Sequence, residues 1–327
     1  MRAITYAEYG PPEVLRFTEV EKPAPKDDEV LIRIRAASVN PLDWHFMRGE
    51  PFFVRLMIGG LRKPKDQRLG RDVAGQVEAV GGKVTQFKPG DEVFGTCRGA
   101  FAEYVCAAED SVASKPVSIS FEDAAAVPVA AITALQGLRD KGRIQSGRKV
   151  LVDGASGGVG SFAVQIAKVY GAEVTAVCST GKVATARSIG ADHVIDYTRE
   201  DFTRSAERYD LILGANAYHS VLDYWRALTK DGIYVGVGGG YSLPGMLRDM
   251  LLQSFLSLVG SKKLCGFMAK ITKEDLIVLG DLLATGQIVP VIDRRYSLGE
   301  VAEALRYLEE GHAKGKVVIT PEQGSEV

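Results

Sequence analysis

At 327 residues with 46 % hydrophobic content, the chain is too long for one ordinary core and long enough for two domains. Its 40 basic and 41 acidic residues leave a net charge of -1, which gives no electrostatic case for a nucleic-acid or anionic-membrane partner. The four cysteines (Cys97, Cys106, Cys178, Cys265) form no C-x-x-C pair, which argues against a disulfide framework or structural zinc and for a reducing cytoplasm.

Met1 to Tyr6 lack the apolar run of a secretory signal. From there the first 120 residues read as β structure. Val30–Ala36 alternates apolar and charged residues, as a half-buried strand does. Val73–Val80 is a similar run closed by Gly81-Gly82, and Lys88-Pro89-Gly90-Asp91 is a turn leading into Glu92-Val93-Phe94. Phe101–Ala107 is a further strand. The character changes near Phe121. Glu122–Leu138 is alanine-rich and helical with an interruption at Pro128, and its apolar stretch, Ala124 to Leu138, is too short to span a bilayer.

Strands and helices then alternate. Lys149–Asp153, Glu173–Cys178, His193–Ile195, Tyr209–Leu213 and Gly232–Val237 are strands; Gly158–Tyr170, Val183–Ile189 and Ser220–Leu228 are helices. Such alternation means βαβ units and a parallel sheet covered on both faces. Met246–Val259 is rich in Leu, Met and Phe, and packs either on the protein or a partner subunit or on a membrane surface. After Pro290 come a strand (Ile292–Tyr296), a helix (Glu300–Glu309), a last strand (Lys316–Thr320) and a loose tail, Glu322–Val327.

The stretch from Val150 to Gly160 is a strand, a glycine-rich turn and an apolar helix, the context that a dinucleotide fingerprint requires. Ala155 stands at its first glycine position, with Gly157 and Gly160 at the second and third. Gly157 lets the backbone approach a pyrophosphate, and Gly160 lets the helix pack close to the strand. With Ser156, Gly158 and Val159 they form the phosphate-binding turn, where the helix N-terminus offers free N–H groups. An acidic residue at the end of the second strand would hold the ribose 2′-hydroxyl of NAD; Ser179 stands there instead, followed by Thr180 and Lys182. Hydroxyls and an ammonium suit a 2′-phosphate, so NADPH is the expected cofactor.

Several segments resemble the quinone oxidoreductase branch of the medium-chain dehydrogenase/reductases. They are Tyr9–Leu15, Ala37–Asp43, Gly70–Gly75, Phe87–Val93, Ala155–Gly160 and Gly311–Val318. Within that family the chain is similar to members with an extended loop after Asn40-Pro41. The resemblance implies an α/β architecture: a GroES-like β domain over 1–121, completed by 290–327, and a Rossmann NADPH-binding domain over 122–289. It places the active site in the interdomain cleft. It implies a homodimer, for which the strand Ile233–Val237, as a pairing edge, and Met246–Val259 are the candidates.

Zinc alcohol dehydrogenases of the superfamily hold their metal through Cys and His. Here those regions read Val39-Asn40-Pro41-Leu42-Asp43 and Gly70-Arg71-Asp72, with neither residue, so no metal is expected. Without that Lewis acid the natural chemistry is hydride transfer from NADPH to a quinone or another conjugated carbonyl. An enone double-bond reductase and a non-catalytic NADPH-binding sensor or scaffold are the alternatives. The resemblance puts Asn40 beside nicotinamide and substrate, where its amide could serve a developing oxyanion; it is also simply the residue before Pro41. His45 stands where relatives often carry tyrosine, as a proton donor or an ordinary packed histidine. Asp43 is expected to fix the loop. Thr133, Val237 and Gly238 are expected to border the nicotinamide, and Tyr197 to close over the adenine ribose or its phosphate.

Overall fold

The computed structural model describes residues 1–57, 60–216, 218–237 and 243–321. An antiparallel pair, β1 (Arg2–Thr5) and β2 (Arg16–Glu19), precedes the long strand β3 (Glu29–Val39). Helices α1 (Pro41–Arg48) and α2 (Phe53–Met57) lead to β4 (Asp72–Val80), β5 (Glu92–Thr96), β6 (Tyr104–Ala108) and β7 (Val112–Ser114). The alanine-rich run divides into α3 (Phe121–Ala125) and α4 (Pro128–Gln136), because proline suits the first turn of a helix and not its interior. The alternating stretch comprises β8 (Lys149–Asp153), α5 (Gly158–Val169), β9 (Glu173–Cys178), α6 (Val183–Ser188), β10 (His193–Asp196), β11 (Tyr209–Gly214), α7 (Val221–Ala227) and β12 (Leu228–Gly236). Then come α8 (Leu243–Val259), β13 (Lys263–Gly266), α9 (Lys273–Ala284), β14 (Ile292–Ser297), α10 (Val301–Glu309) and β15 (Lys316–Thr320).

The chain forms two compact units. The first comprises Met1–Val129, Ile271–Gly286 and the described residues from Ile292. Its main sheet has the order β14-β15-β3-β4-β5-β7, with β6 also pairing β3. Ile32, Ile34, Val73, Val93 and Phe101 fill its core, and α10 covers it with Val301, Ala304 and Leu305, spaced as one helical face. The helix α9 packs with this unit, although its sequence lies inside the span 122–289 read as the nucleotide domain.

The second unit comprises Ala130–Lys270 and Gln287–Val291. Its six strands are all parallel, in the order β10-β9-β8-β11-β12-β13. This is the doubly wound order, whose direction reverses between β8 and β11. Val150, Leu151 and Val152 are all fully buried, as expected of a strand covered on both faces.

One expectation changes here, and of the alternatives for Met246–Val259 packing on the protein is met. The segment Ile233–Val237 is not a sheet edge: β13 pairs alongside β12 and takes the edge position. The apolar run Met246–Val259 lies in α8, where Leu252 and Leu256 pack with Trp225 on the unit's own core. Its other side leaves Met250, Leu251, Phe255 and Leu258 exposed. Among the described residues no helix is long and apolar enough to cross a membrane. The tail Glu322–Val327 lies outside the described residues.

Candidate active site

In the first unit a buried polar cluster sits where β3 ends. Asn40 has an extended backbone (φ -127°, ψ 155°), which the following proline favours, and Pro41 opens α1. The antiparallel register sets Ser38 opposite Asp72 and Val39 opposite Val317, so Lys316 comes level with Asn40. Asp72 Oδ2 accepts from Ser38 Oγ at 2.7 Å, from Asn40 Nδ2 at 2.9 Å and from Lys316 Nζ at 3.2 Å. Its Oδ1 accepts from the Val129 N–H at 2.9 Å. The Lys316 ammonium also donates to Asn40 Oδ1 at 2.7 Å and to the Val39 carbonyl at 3.4 Å, which matches its three protons to three acceptors.

Asp72 is fully buried, and Lys316 and Asn40 are 2 % and 3 % exposed. This cluster decides which way the Asn40 amide points. The carboxylate demands its NH2 and the ammonium demands its oxygen, so a flipped amide would lose both contacts. One Nδ2 proton is used on Asp72, and the second remains for another acceptor.

Asp43 fixes the loop, as its sequence position suggests. Its Oδ2 accepts the Asn40 N–H at 2.8 Å and its Oδ1 the Gly70 N–H at 3.2 Å. Gly70 has φ +97°, and a Cβ there would fall 2.8 Å from the Phe101 nitrogen, so only glycine fits. Burial first, and then the nearby Asp72 charge, push the Asp43 carboxyl up to about 7, against the Asn40 N–H that favours the ionised form. Between the ordinary value of 3.8 and about 7 the folded chain therefore holds a proton that the unfolded chain lacks. Stability from this group is complete below that window and declines as pH rises through it. The urea midpoint of the wild type should fall across the window relative to that of Asp43→Asn, whereas parallel curves would contradict the assignment.

His45 lies on the last turn of α1, stacked on Trp44 at 3.6 Å between ring centroids. Its Nδ1 is 2.7 Å from the Glu50 carbonyl, which can only accept, so Nδ1 carries the hydrogen. Burial holds its pKa below the usual histidine value. The neutral ring thus presents a bare Nε2, which has no proton to deliver.

In the second unit the phosphate turn joins β8 to α5. The left-handed residue is Gly154, with φ +83°, one position before the Ala155 assigned from sequence. A Cβ on Gly154 would lie 2.7 Å from Asn216 Cβ, and one on Gly160 would lie 2.1 Å from the Gly154 carbonyl oxygen. Ala155 is buried, and its N–H bonds to the Val177 carbonyl at 3.0 Å. Gly157 differs: its Cβ would come no closer than 3.6 Å to the chain, so packing does not require glycine there. It is the N-cap of α5, and the amides of Gly158, Val159 and Gly160 open the helix, where no preceding turn supplies acceptors. Room above Gly157 and free amides beside it fit a dinucleotide pyrophosphate. Ser156 in the same turn is buried.

At the end of β9, Ser179 and Lys182 are half-buried, while the Thr180 hydroxyl is engaged. Thr180 Oγ1 donates to Asp196 Oδ2 at 2.6 Å, and Asp196 also accepts from the Thr198 hydroxyl and N–H. A hydroxyl has one proton, so Thr180 cannot donate to a phosphate while it holds that bond. Tyr197 follows Asp196 and is 58 % exposed. Thr133 is half-buried on α4, and the Val237 N–H bonds to the Gly214 carbonyl at 3.0 Å. Gly238 lies outside the described residues. Directly before the turn, Asp153 is buried and accepts from Tyr224 Oη at 2.5 Å; burial raises its pKa. His219 packs edge-on against Phe202 at 4.8 Å between centroids.

Residues 26–117 match the alcohol dehydrogenase GroES-like domain, and residues 189–319 match a domain described as zinc-binding dehydrogenase. The chain is 37 % identical to a 2-methylene-furan-3-one reductase of Solanum lycopersicum, over 98 % of this chain and 79 % of that protein. The chain belongs to the quinone oxidoreductase branch of the medium-chain dehydrogenase/reductase superfamily. It is 33 % identical to a chloroplastic NADPH-dependent alkenal/one oxidoreductase of Arabidopsis thaliana, over 98 % of this chain and 80 % of that protein. A solved quinone oxidoreductase from Coxiella burnetii superposes with a TM-score of 0.86 at 29 % identity, covering 98 % of this chain and 99 % of that one.

Sequence reasoning did not single out Ser38, Asp72 or Lys316 as partners of Asn40, although all three lie in segments shared with the medium-chain family. A usable signal was present at Lys316. It opens the strand Lys-Val-Val-Ile-Thr, whose continuous apolar run marks burial on both faces, and a lysine there needs a counter-charge.

Proposed function

We propose that this protein is an NADPH-dependent, zinc-independent reductase of quinones and other conjugated carbonyls. The observation that carries the reading is the phosphate turn. Gly154 and Gly160 are demanded by the chain's own packing, whereas Gly157 is not and leaves room for a ligand. NADPH, when bound, supplies a hydride, that is, two electrons and one proton, and water supplies the second proton.

The amides of Gly158, Val159 and Gly160 hold the pyrophosphate, and Ser179 and Lys182 serve the 2′-phosphate. Thr133 and Val237 border the nicotinamide, and Tyr197 covers the adenine ribose. On the first unit, Asn40 keeps one Nδ2 proton for the acceptor oxygen as negative charge moves onto it. His45 is not given the proton, because its neutral Nε2 has none.

Zinc-independence rests on the residues at the family's metal positions. Asn40 has its oxygen bound by the Lys316 ammonium, and position 71 is an arginine, so an incoming dication would face two fixed cations. Among the described residues no three His, Cys, Asp or Glu side chains gather as a metal would need. A homodimer is proposed on the exposed apolar side of α8, and a cytoplasmic location on four free cysteines.

The identity with an alkenal/one oxidoreductase and a methylene-furanone reductase favours enones as a second acceptor class. The test is oxidation of NADPH by metal-stripped protein with 9,10-phenanthrenequinone and, separately, 1-octen-3-one. Turnover with either acceptor, and much less with NADH, is the expected result. NADPH binding without turnover of either would favour a sensor or scaffold instead.

A further inference from the structure

Five described arginines are half-buried: Arg2, Arg48, Arg55, Arg71 and Arg139. Four of them have acceptors. Arg2 donates to Glu103, Arg48 to Glu309, Arg55 to the Gly49 carbonyl and Arg139 to Asp140. Arg71 donates to no acceptor among the described residues; its guanidinium carbon stands 5.6 Å from the centroid of the Phe46 ring. The neighbouring carboxylates give it no hydrogen bond, although its charge favours the ionised form of Asp43. Asp72 accepts instead from Ser38, Asn40, Lys316 and Val129, and Asp43 from the Asn40 and Gly70 amides. A guanidinium is never deprotonated in this setting, and the half-buried Arg71 nitrogens, none of them fully enclosed, stay open to an oxygen ligand. Arg71 directly precedes Asp72, the residue that orients the Asn40 amide.

Resting on the reductase reading above, we propose that Arg71 binds a carboxylate carried by the acceptor, so that the preferred substrates are conjugated carbonyls bearing an acid group. A planar fork matches a carboxylate with two parallel hydrogen bonds, a geometry that neither lysine nor a neutral amide reproduces. The Phe46 ring beneath the guanidinium suits the apolar remainder of such a molecule. Arg71 thus sorts acceptors by charge, while Asn40 meets the oxygen where charge develops.

The probe is (E)-4-oxo-2-nonenoate, with its methyl ester as the uncharged control. Binding is read by calorimetry, and turnover by NADPH oxidation, for the wild type, Arg71→Lys and Arg71→Gln. The acid-to-ester ratio of affinities, and of kcat/KM, should fall about tenfold or more in Arg71→Gln, through loss of the acid alone, with Arg71→Lys between. Comparing ratios cancels the intrinsic reactivity of the two compounds. An unchanged ratio in Arg71→Gln would overturn the proposal. So would an equal loss of kcat on acid and ester, because Arg71 would then be meeting the developing enolate rather than a carboxylate. Calorimetry separates this proposal from the reductase reading. Acid binding that depends on Arg71 without turnover would defeat the reductase and leave the anion site standing.

Discussion

Replacing Lys316 by methionine is expected to destabilise the protein by about 3–5 kcal/mol, because Asp72 is left as a buried charge without its ammonium. The same change removes the donor that fixes the Asn40 oxygen, so the amide can turn over and offer its carbonyl where its NH2 stood. Activity should therefore fall beyond what loss of folded protein explains. In Asn40→Ala, which keeps the ion pair, kcat should drop by about a hundredfold if the amide serves as the oxyanion donor. Removing both charges together, as Asp72→Leu with Lys316→Met, should recover most of the lost stability without restoring activity. Urea unfolding of the two single variants and the double variant measures this as a coupling free energy. Stability of Lys316→Met within about 1 kcal/mol of wild type would mean that the ion pair does not hold the strands as argued.

The phosphate turn gives the second large effect, and it separates two glycines that look alike in sequence. A Cβ at Gly160 would lie 2.1 Å from the Gly154 oxygen and 2.8 Å from Ala155 Cα, so Gly160→Ala must open the turn. A destabilisation of about 1–3 kcal/mol is expected, as for other overpacked sites. Gly157→Ala meets nothing closer than 3.6 Å and should unfold like the wild type. Its cost falls on the ligand: the NADPH dissociation constant should rise about tenfold or more, the equivalent of one charge-assisted hydrogen bond. Fluorescence titration of NADPH alongside thermal unfolding distinguishes the two. Undiminished NADPH binding by Gly157→Ala would place the pyrophosphate elsewhere.

The parts legible in the sequence were those set by local pattern. The strands β8, β9 and β11 announce themselves as apolar runs between turn residues, and their alternation with helices gives the parallel sheet. What the sequence hid was decided by pairing at a distance. Lys316 reaches Asn40 across 276 positions through a strand register that no local window contains. The four-residue strand β13 is too short to carry a period, yet it displaces Ile233–Val237 from the sheet edge. Other features are local. The helix α1 has proline in its first turn, Asp43 as the third residue reaching back to the Asn40 N–H, and Gly49 at φ +61° ending it. A fingerprint that starts at Ala155 passes over Gly154, although only glycine takes the left-handed conformation at no cost. At the ribose end, Thr180 was read as a phosphate ligand because Asp196, its actual partner, stands on the next strand.

The most direct test of the central claim follows the hydrogen itself. NADPH carrying deuterium at nicotinamide C4 is incubated with the protein and 1-octen-3-one, and the product is examined by mass spectrometry. The account predicts deuterium on the carbon β to the carbonyl of the reduced ketone; when only the solvent is labelled, deuterium appears on the α carbon and not on the β carbon. Reduced product lacking cofactor deuterium, or no product from a protein that binds NADPH, would contradict it.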